Sequence, residues 1–352
     1  MTADATPDVL IERRGRVGVI TLNRPRAINA LTHPMVLAMR AALDDWAQDD
    51  SVRTVAITGA GERGLCAGGD IVSLYHDARS GDGAASAAFW YDEYRLNAQI
   101  ARYDKPIVAV QDGIVLGGGI GISAHASHRV VTERSSLGLP EVSIGFVPDV
   151  GATWLLANAP GHLGTFAALT AATLNAADAM LLGLSDAFVP SERIPRLLTA
   201  LESMEAGEAV LLLSTDAGAP PLASAREWID AAFAADSISG IAHRLRMTGG
   251  ADADRAAAAM ARQSPMALAV TLESLRRAAT LDTLEQALGQ EYRVSRHAHA
   301  APDFVEGVRA QVIDKDRRPR WQPYNEQDRA LVDAYFAPHG DHDLLLTTAL
   351  TS

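Results

Sequence analysis

"KPIVAVQDGIVLGGGIGIS", residues 105–123, holds the reading that decides the fold. A β-branched run predicts a strand, Asp112–Gly113 breaks it, and a second short strand runs straight into three glycines. A glycine cluster between a strand and a helix start leaves backbone N–H groups bare, because no Cβ holds a ligand away. The first helical turn has unsatisfied N–H donors and a partial positive charge. Together they suit an anion, or a carbonyl oxygen gaining charge during reaction. "CAGGDI" (66–71) is a second turn of this kind. Two N–H groups aimed at one oxygen make an oxyanion hole, worth roughly 3–4 kcal/mol per donor. The same glycines also suit tight turns and close helix packing. A dinucleotide loop would need Gly at position 122, which is Ile, and no P-loop Lys-Ser/Thr follows.

Outward from this stretch, "VGVITLNRP" (17–25) predicts a strand ended by Pro25, and "VRTVAITGAG" (52–61) a short buried one. "HPMVLAMRAALDDWAQ" (33–48) repeats apolar residues at helical spacing, with Thr32 at its N-cap and Pro34 in its first turn. Residues 87–104 predict another helix, and "HRVVTE" (128–133) another strand. Beyond about 149 strands become scarce, and helices are expected over 191–204, 222–235, 237–246, 251–262, 265–279 and 282–300. The outline is α/β, a β-rich half followed by a helical one, divided into a core over 1–205 and a mainly helical region over 206–352.

The totals set limits. The chain has 352 residues, and its formal net charge of −12 argues against nucleic acid or an anionic membrane surface as the main partner. Cys66 is its one cysteine, so no internal disulfide forms, which suits a reducing compartment. "MTADATPDVL" has no basic start and no apolar stretch, so no signal peptide is read there. No apolar run approaches the roughly 18 residues of a membrane span. A cytoplasmic protein is the expectation.

Four motifs taken together resemble a family: "ITLNRPRAINAL" (20–31), "LCAGGDI" (65–71), "KPIVAVQDGIVLGGGIGIS" (105–123) and "PEVSIGFVPDVGATW" (140–154). Their order and separation resemble the crotonase (enoyl-CoA hydratase/isomerase) superfamily over about residues 10–200, and "DFVEGVRAQVIDKDRRPRW" (303–321) adds a similar C-terminal segment. The resemblance implies a spiral of ββα units followed by a helical C-terminal region, and a thioester oxygen held by two backbone N–H groups. On this chain those donors are Gly69 and Gly118. Asp70 then reads as a helix N-cap. Arg24 and Arg26 fall where the family's basic residues approach the CoA part, and Ala67 joins Arg26 among the substrate-contacting positions.

Hydratases of this superfamily use two glutamates, one just after the glycine triplet and one about twenty residues later. Here the first position is Gly121, which has no side chain, and the second is Glu141. "PEVSIGFVPDVG" adds Asp149. With "WYDEYRLNAQI" (90–100), this resembles the 3-hydroxyisobutyryl-CoA hydrolase branch of valine breakdown. The implied substrate contacts are Glu93, Gly118, Glu141 and Asp149. Glu141 would attack the polarised thioester to form an anhydride, or take a proton from attacking water. Asp149 would orient the water or share a proton, and Glu93 would meet the 3-hydroxyl. The expected reaction is hydrolysis of a short branched 3-hydroxyacyl-CoA. The alternatives are hydration or isomerisation, and a non-catalytic acyl-CoA-binding or assembly subunit. No metal or redox cofactor is implied, since CoA arrives with the substrate. A trimer or hexamer is common in the superfamily.

Other residues carry plainer expectations. His125 reads as packing or capping, and His297 and His299, two apart, as surface. Cys66 reads as a small buried residue, since no base is placed to activate it.

Overall fold

Each turn of the chain places one extended segment in each of two sheets. The computed structural model describes residues 6–346, so residues 1–5, which begin the segment read for a signal peptide, lie outside it, as do 347–352. The larger sheet takes β1 (Val9–Arg14), β2 (Val17–Leu22), β3 (Thr54–Gly59), β4 (Ile107–Gln111), β6 (His128–Val131) and β9 (Ala187–Phe188) in that order. The smaller takes β5 (Ile114–Leu116), β7 (Ser136–Gly138) and β8 (Thr173–Leu174). β1 and β2 form an antiparallel hairpin, and every later neighbour in the larger sheet runs parallel. After β3 the chain crosses over, and Gly64 and Cys66 bridge to Gly113 and Val115, while Leu31 bridges to Gly69. After β4 the break at Asp112–Gly113 delivers β5, and after β6 the chain delivers β7 beside it. This is the spiral of ββα units. The parallel strands β3 and β4 are largely buried on both faces because both faces are covered.

The helix His33–Ala47 begins where Thr32 and Pro34 place it, and buries Met35, Val36, Met39, Leu43 and Trp46. It packs on the helix Ala84–Ala101, whose other side meets the helix Leu284–Ala300. That middle helix is therefore covered on two sides, and it buries Glu93, Tyr94 and Asn97 along with Phe89, Trp90 and Leu96. Each fully buried apolar side chain of this size contributes about 1.5–3 kcal/mol. Three polar side chains on the same buried face cost stability unless they have partners or a task.

The expected helices of the second half appear as Ile194–Leu201, Pro221–Phe233, Ile238–Thr248, Ala251–Met260, Pro265–Ala278 and Leu284–Ala300. One apolar cluster runs from Val9 to Leu344 through both halves. The helical start read after the glycine triplet is only one turn, Gly118–Gly121. Three glycines in four residues give little helical propensity, and Ser123 Oγ then donates to the Gly119 carbonyl at 2.6 Å. No helix among the described residues is long and apolar enough to cross a membrane.

Candidate active site

The two glycine turns come from adjacent turns of the spiral, and this brings them together. Gly68 has φ +104° and Gly117 φ +47°, backbone that a side chain would strain, and each immediately precedes one of the two expected donors. A Cβ built on Gly118 would lie 3.3 Å from the Gly69 nitrogen and 2.6 Å from Glu93 Oε1. Gly69, Gly118 and Glu93 thus face one small space. Among the described residues neither the Gly69 nor the Gly118 N–H has an acceptor. These donors open on a cavity of about 190 Å³ lined by Ala67, Glu93, Glu141 and Asp149 together with apolar side chains.

Three carboxyls share that cavity. Glu93 is 2% exposed, Glu141 7% and Asp149 5%. Glu141 opens the short turn Glu141–Ile144, just after β7. Glu93 Oε1 and Glu141 Oε2 are buried with no hydrogen-bond partner. Burial, reinforced by the Asp149 and Glu141 charges, pushes Glu93 well above the usual carboxyl range. Burial and then the Asp149 charge do the same to Glu141. Burial lifts Asp149 too, but only to about 7, because the Tyr94 hydroxyl donates to it. The bond is 2.6 Å long, to Asp149 Oδ2. So the pocket does not hold three charges near neutrality, and Asp149 ionises most readily of the three.

Other expected residues fall in different places. Asp70 is the N-cap of the helix Ile71–Ser80, accepting from the Ser73 N–H at 3.4 Å. Arg24 donates to Asp70 at 3.1 Å, so its charge is occupied structurally. Arg26 is exposed on the turn Pro25–Ala27, outside the cavity lining. Cys66 is fully buried, and burial pushes its thiol up to about 12. His125 packs under the site and bonds the Val150 carbonyl at 2.8 Å. His299 departs from the surface expectation. It is buried, with Nε2 3.0 Å from both Ser86 Oγ and the Leu74 carbonyl and its ring against Trp90 and Phe304, which come from other elements packed on its helix.

Position 121 is closed as well as bare. A Cβ there would come within 2.6 Å of Val150 Cβ and 2.9 Å of Asn97 Nδ2. Gly121→Glu is therefore expected to cost about 1–3 kcal/mol in overpacking and to create no hydratase. Denaturant unfolding and loss of enoyl absorbance from crotonyl-CoA check the two halves of that statement.

The sequence reads Trp90 as core or rim packing, while Phe146, Val312 and Ser295 are not singled out by it. Trp90 stacks on Phe146 with ring centres 5.4 Å apart, and Val312 of the C-terminal segment completes the wall. Ser295, on the helix Leu284–Ala300, lies 2.7 Å from the Tyr94 hydroxyl. The polar run Glu93, Tyr94, Asn97 on an otherwise apolar helix face was the available signal. Nothing local marked Ser295.

Comparison with known proteins agrees with this architecture. The family model described as enoyl-CoA hydratase/isomerase matches residues 17–336. A 3-hydroxyisobutyryl-CoA hydrolase, mitochondrial, from Danio rerio is 38% identical, covering 98% of this chain and 94% of that protein. Its Gallus gallus counterpart is 36% identical, covering 97% and 92%. Among solved structures, a carnitinyl-CoA dehydratase from Mycobacterium thermoresistibile superposes with a TM-score of 0.93 at 49% identity, covering 97% of this chain and 99% of that one. An enoyl-CoA hydratase from Rhodobacter sphaeroides 2.4.1 gives 0.91 at 42%, covering 97% and 100%. Both relatives are named as mitochondrial, which overturns the cytoplasmic expectation. A single buried cysteine fits any reducing surrounding and does not say which compartment provides it. The motifs, the spiral of ββα units and these matches lead to one conclusion: the chain belongs to the enoyl-CoA hydratase/isomerase family.

Proposed function

We propose that the protein is an acyl-CoA thioester hydrolase that cleaves 3-hydroxyisobutyryl-CoA to 3-hydroxyisobutyrate and CoA, a step of branched-chain amino acid degradation. One observation carries this reading: two unpartnered glycine N–H groups face a cavity holding Glu93, Glu141 and Asp149, while position 121 has no room for a second hydratase carboxylate. The names of the curated relatives support the same substrate. The hydratase and dehydratase titles of the solved structures describe those proteins. Adding water across a double bond asks for two groups, one for the water and one for the proton at Cα, and the closed position 121 disfavours the family's arrangement here.

In this mechanism the thioester oxygen sits between Gly69 and Gly118 and gains charge as the carbon is attacked. Glu141, having passed its proton to Asp149, the readiest of the three to ionise, attacks as a carboxylate and gives an acyl anhydride that water then opens, or draws a proton from water that attacks directly. The C–S bond breaks and the CoA thiolate leaves; a thiol's ordinary pKa of about 8.5 means it needs little protonation to depart near neutrality. Glu93 takes the substrate hydroxyl, giving its unpartnered Oε1 a hydrogen bond. The chemistry calls for no metal or redox cofactor. Arg26 and Ala67 approach the CoA part. Residues 1–205 supply the carboxyls and the hole, and the region from 206 onward completes the wall. Self-association as a trimer or hexamer belongs to the same proposal.

Free thiol, followed with a chromogenic disulfide, tests it. The protein is expected to release thiol from 3-hydroxyisobutyryl-CoA at least tenfold faster than from isobutyryl-CoA, because the latter leaves Glu93 buried and unpaired. Glu93→Ala should erase most of that preference. Loss of enoyl absorbance without thiol would indicate a hydratase, and binding without turnover an assembly subunit.

A further inference from the structure

Tyr94 has no part in the reaction as described, yet among the described residues its hydroxyl is the one side-chain hydrogen-bond partner of a pocket carboxyl. It is fully buried on the helix Ala84–Ala101, one residue beyond Glu93. Its ring meets Tyr292 edge-on at 6.2 Å, which fixes its plane. Its oxygen lies 2.7 Å from Ser295 Oγ and 2.6 Å from Asp149 Oδ2. An ionised carboxylate only accepts, so Tyr94 must donate to Asp149, and its oxygen is then left to accept from Ser295. The chain of donors runs Ser295 to Tyr94 to Asp149.

We infer that Tyr94, held by Ser295, is a positioning residue that makes Asp149 the proton acceptor among the three pocket carboxyls. This rests on the hydrolase reading above. Glu93 and Glu141 face the same cavity, and each has an oxygen without a partner. Glu291, behind Asp149 on the helix Leu284–Ala300, is fully engaged: it accepts from the Gly151 N–H at 2.5 Å, the Thr153 N–H at 2.9 Å and Thr153 Oγ1 at 2.5 Å. Of Glu93, Glu141, Asp149 and Glu291, Asp149 alone combines a place in the cavity with a buried hydroxyl donor. A donor to the charged form favours that form, and a bond to a charged group is roughly twice as strong as a neutral one. Burial pushes the Tyr94 hydroxyl well above its ordinary range, so it remains a donor throughout.

The test is the pH profile of kcat for thiol release by Tyr94→Phe and Ser295→Ala. The acceptor must be ionised to work, so losing the donor raises its pKa and moves the acid limb upward. Tyr94→Phe should shift it by about one pH unit, with recovery to within a few-fold above the limb and little change in KM. Ser295→Ala should shift it less, in the same direction, and also serves if Tyr94→Phe does not fold. A purely structural role would lower the rate at every pH and leave the limb in place. Infrared titration of the free protein reads the same point without substrate, the Asp149 band being identified by its loss in Asp149→Asn. If the wild type releases no thiol, the hydrolase reading fails, and the infrared shift still decides the role of Tyr94. An unmoved limb and an unmoved band in the variants would overturn the inference.

Discussion

Glu141→Gln should lower kcat for thiol release by about 10²–10⁴-fold, the range associated with removing a positioned acid–base group. The substitution keeps the side-chain volume and removes the ability to exchange a proton or to attack as a carboxylate. Glu141 Oε2 is buried without a partner in the free protein, so little of the surrounding structure depends on it. The glutamine brings no charge to be desolvated, and the fold should be retained or slightly stabilised, since burial already disfavours the glutamate charge. Binding of CoA should be unchanged within a few-fold, as calorimetric titration would show. A variant with near-normal turnover would remove Glu141 from the mechanism.

Gly118→Ala should cost about 10²–10³-fold in kcat, comparable with loss of one oxyanion donor. The backbone at Gly118 is not among the positive-φ glycines, so alanine is conformationally acceptable there. The damage comes from space. The added methyl would stand 2.6 Å from Glu93 Oε1, 3.2 Å from Leu31 Cδ1 and 3.3 Å from the Gly69 nitrogen. It occupies the place where the thioester oxygen must sit and pushes Glu93 off its position. Steady-state kinetics with a thermal melt separate the effects: a fall in kcat with a melting temperature within a few degrees of wild type is expected, and full activity would show that the oxygen binds elsewhere.

The spiral was legible because each repeat leaves a local signature. Alternating β-branched runs give β2, β3, β4 and β6, Asp112–Gly113 marks the crossing between sheets, and the glycine turns mark where two crossings meet. β1, of which only Val9 is buried, gave no comparable signal, since its side chains are mostly exposed. The resemblance supplied Glu93, Glu141 and Asp149, and the structure places all three on one cavity. Residue type alone places a glutamate such as Glu93 on a solvated helix face. Glu93 is buried because two other helices cover its own, a fact of tertiary packing absent from local periodicity. Ser295 reaches the site across a long separation and carries no motif, so it could not be found from its neighbours in the chain; Val312 falls in the segment 303–321 that carries the resemblance, but nothing local marks it as lining the cavity.

The bond between Tyr94 and Ser295 spans 201 residues of sequence. The entropic cost of closing such a loop is offset only by the packing of the helices that carry its two ends. During synthesis the glycine turns and all three carboxyls emerge first, while their last supports are still unmade. Premature termination before residue 295 also removes much of the helix that covers Glu93 and Tyr94, so such a product is expected to lose the cavity itself, which a single substitution at Ser295 does not.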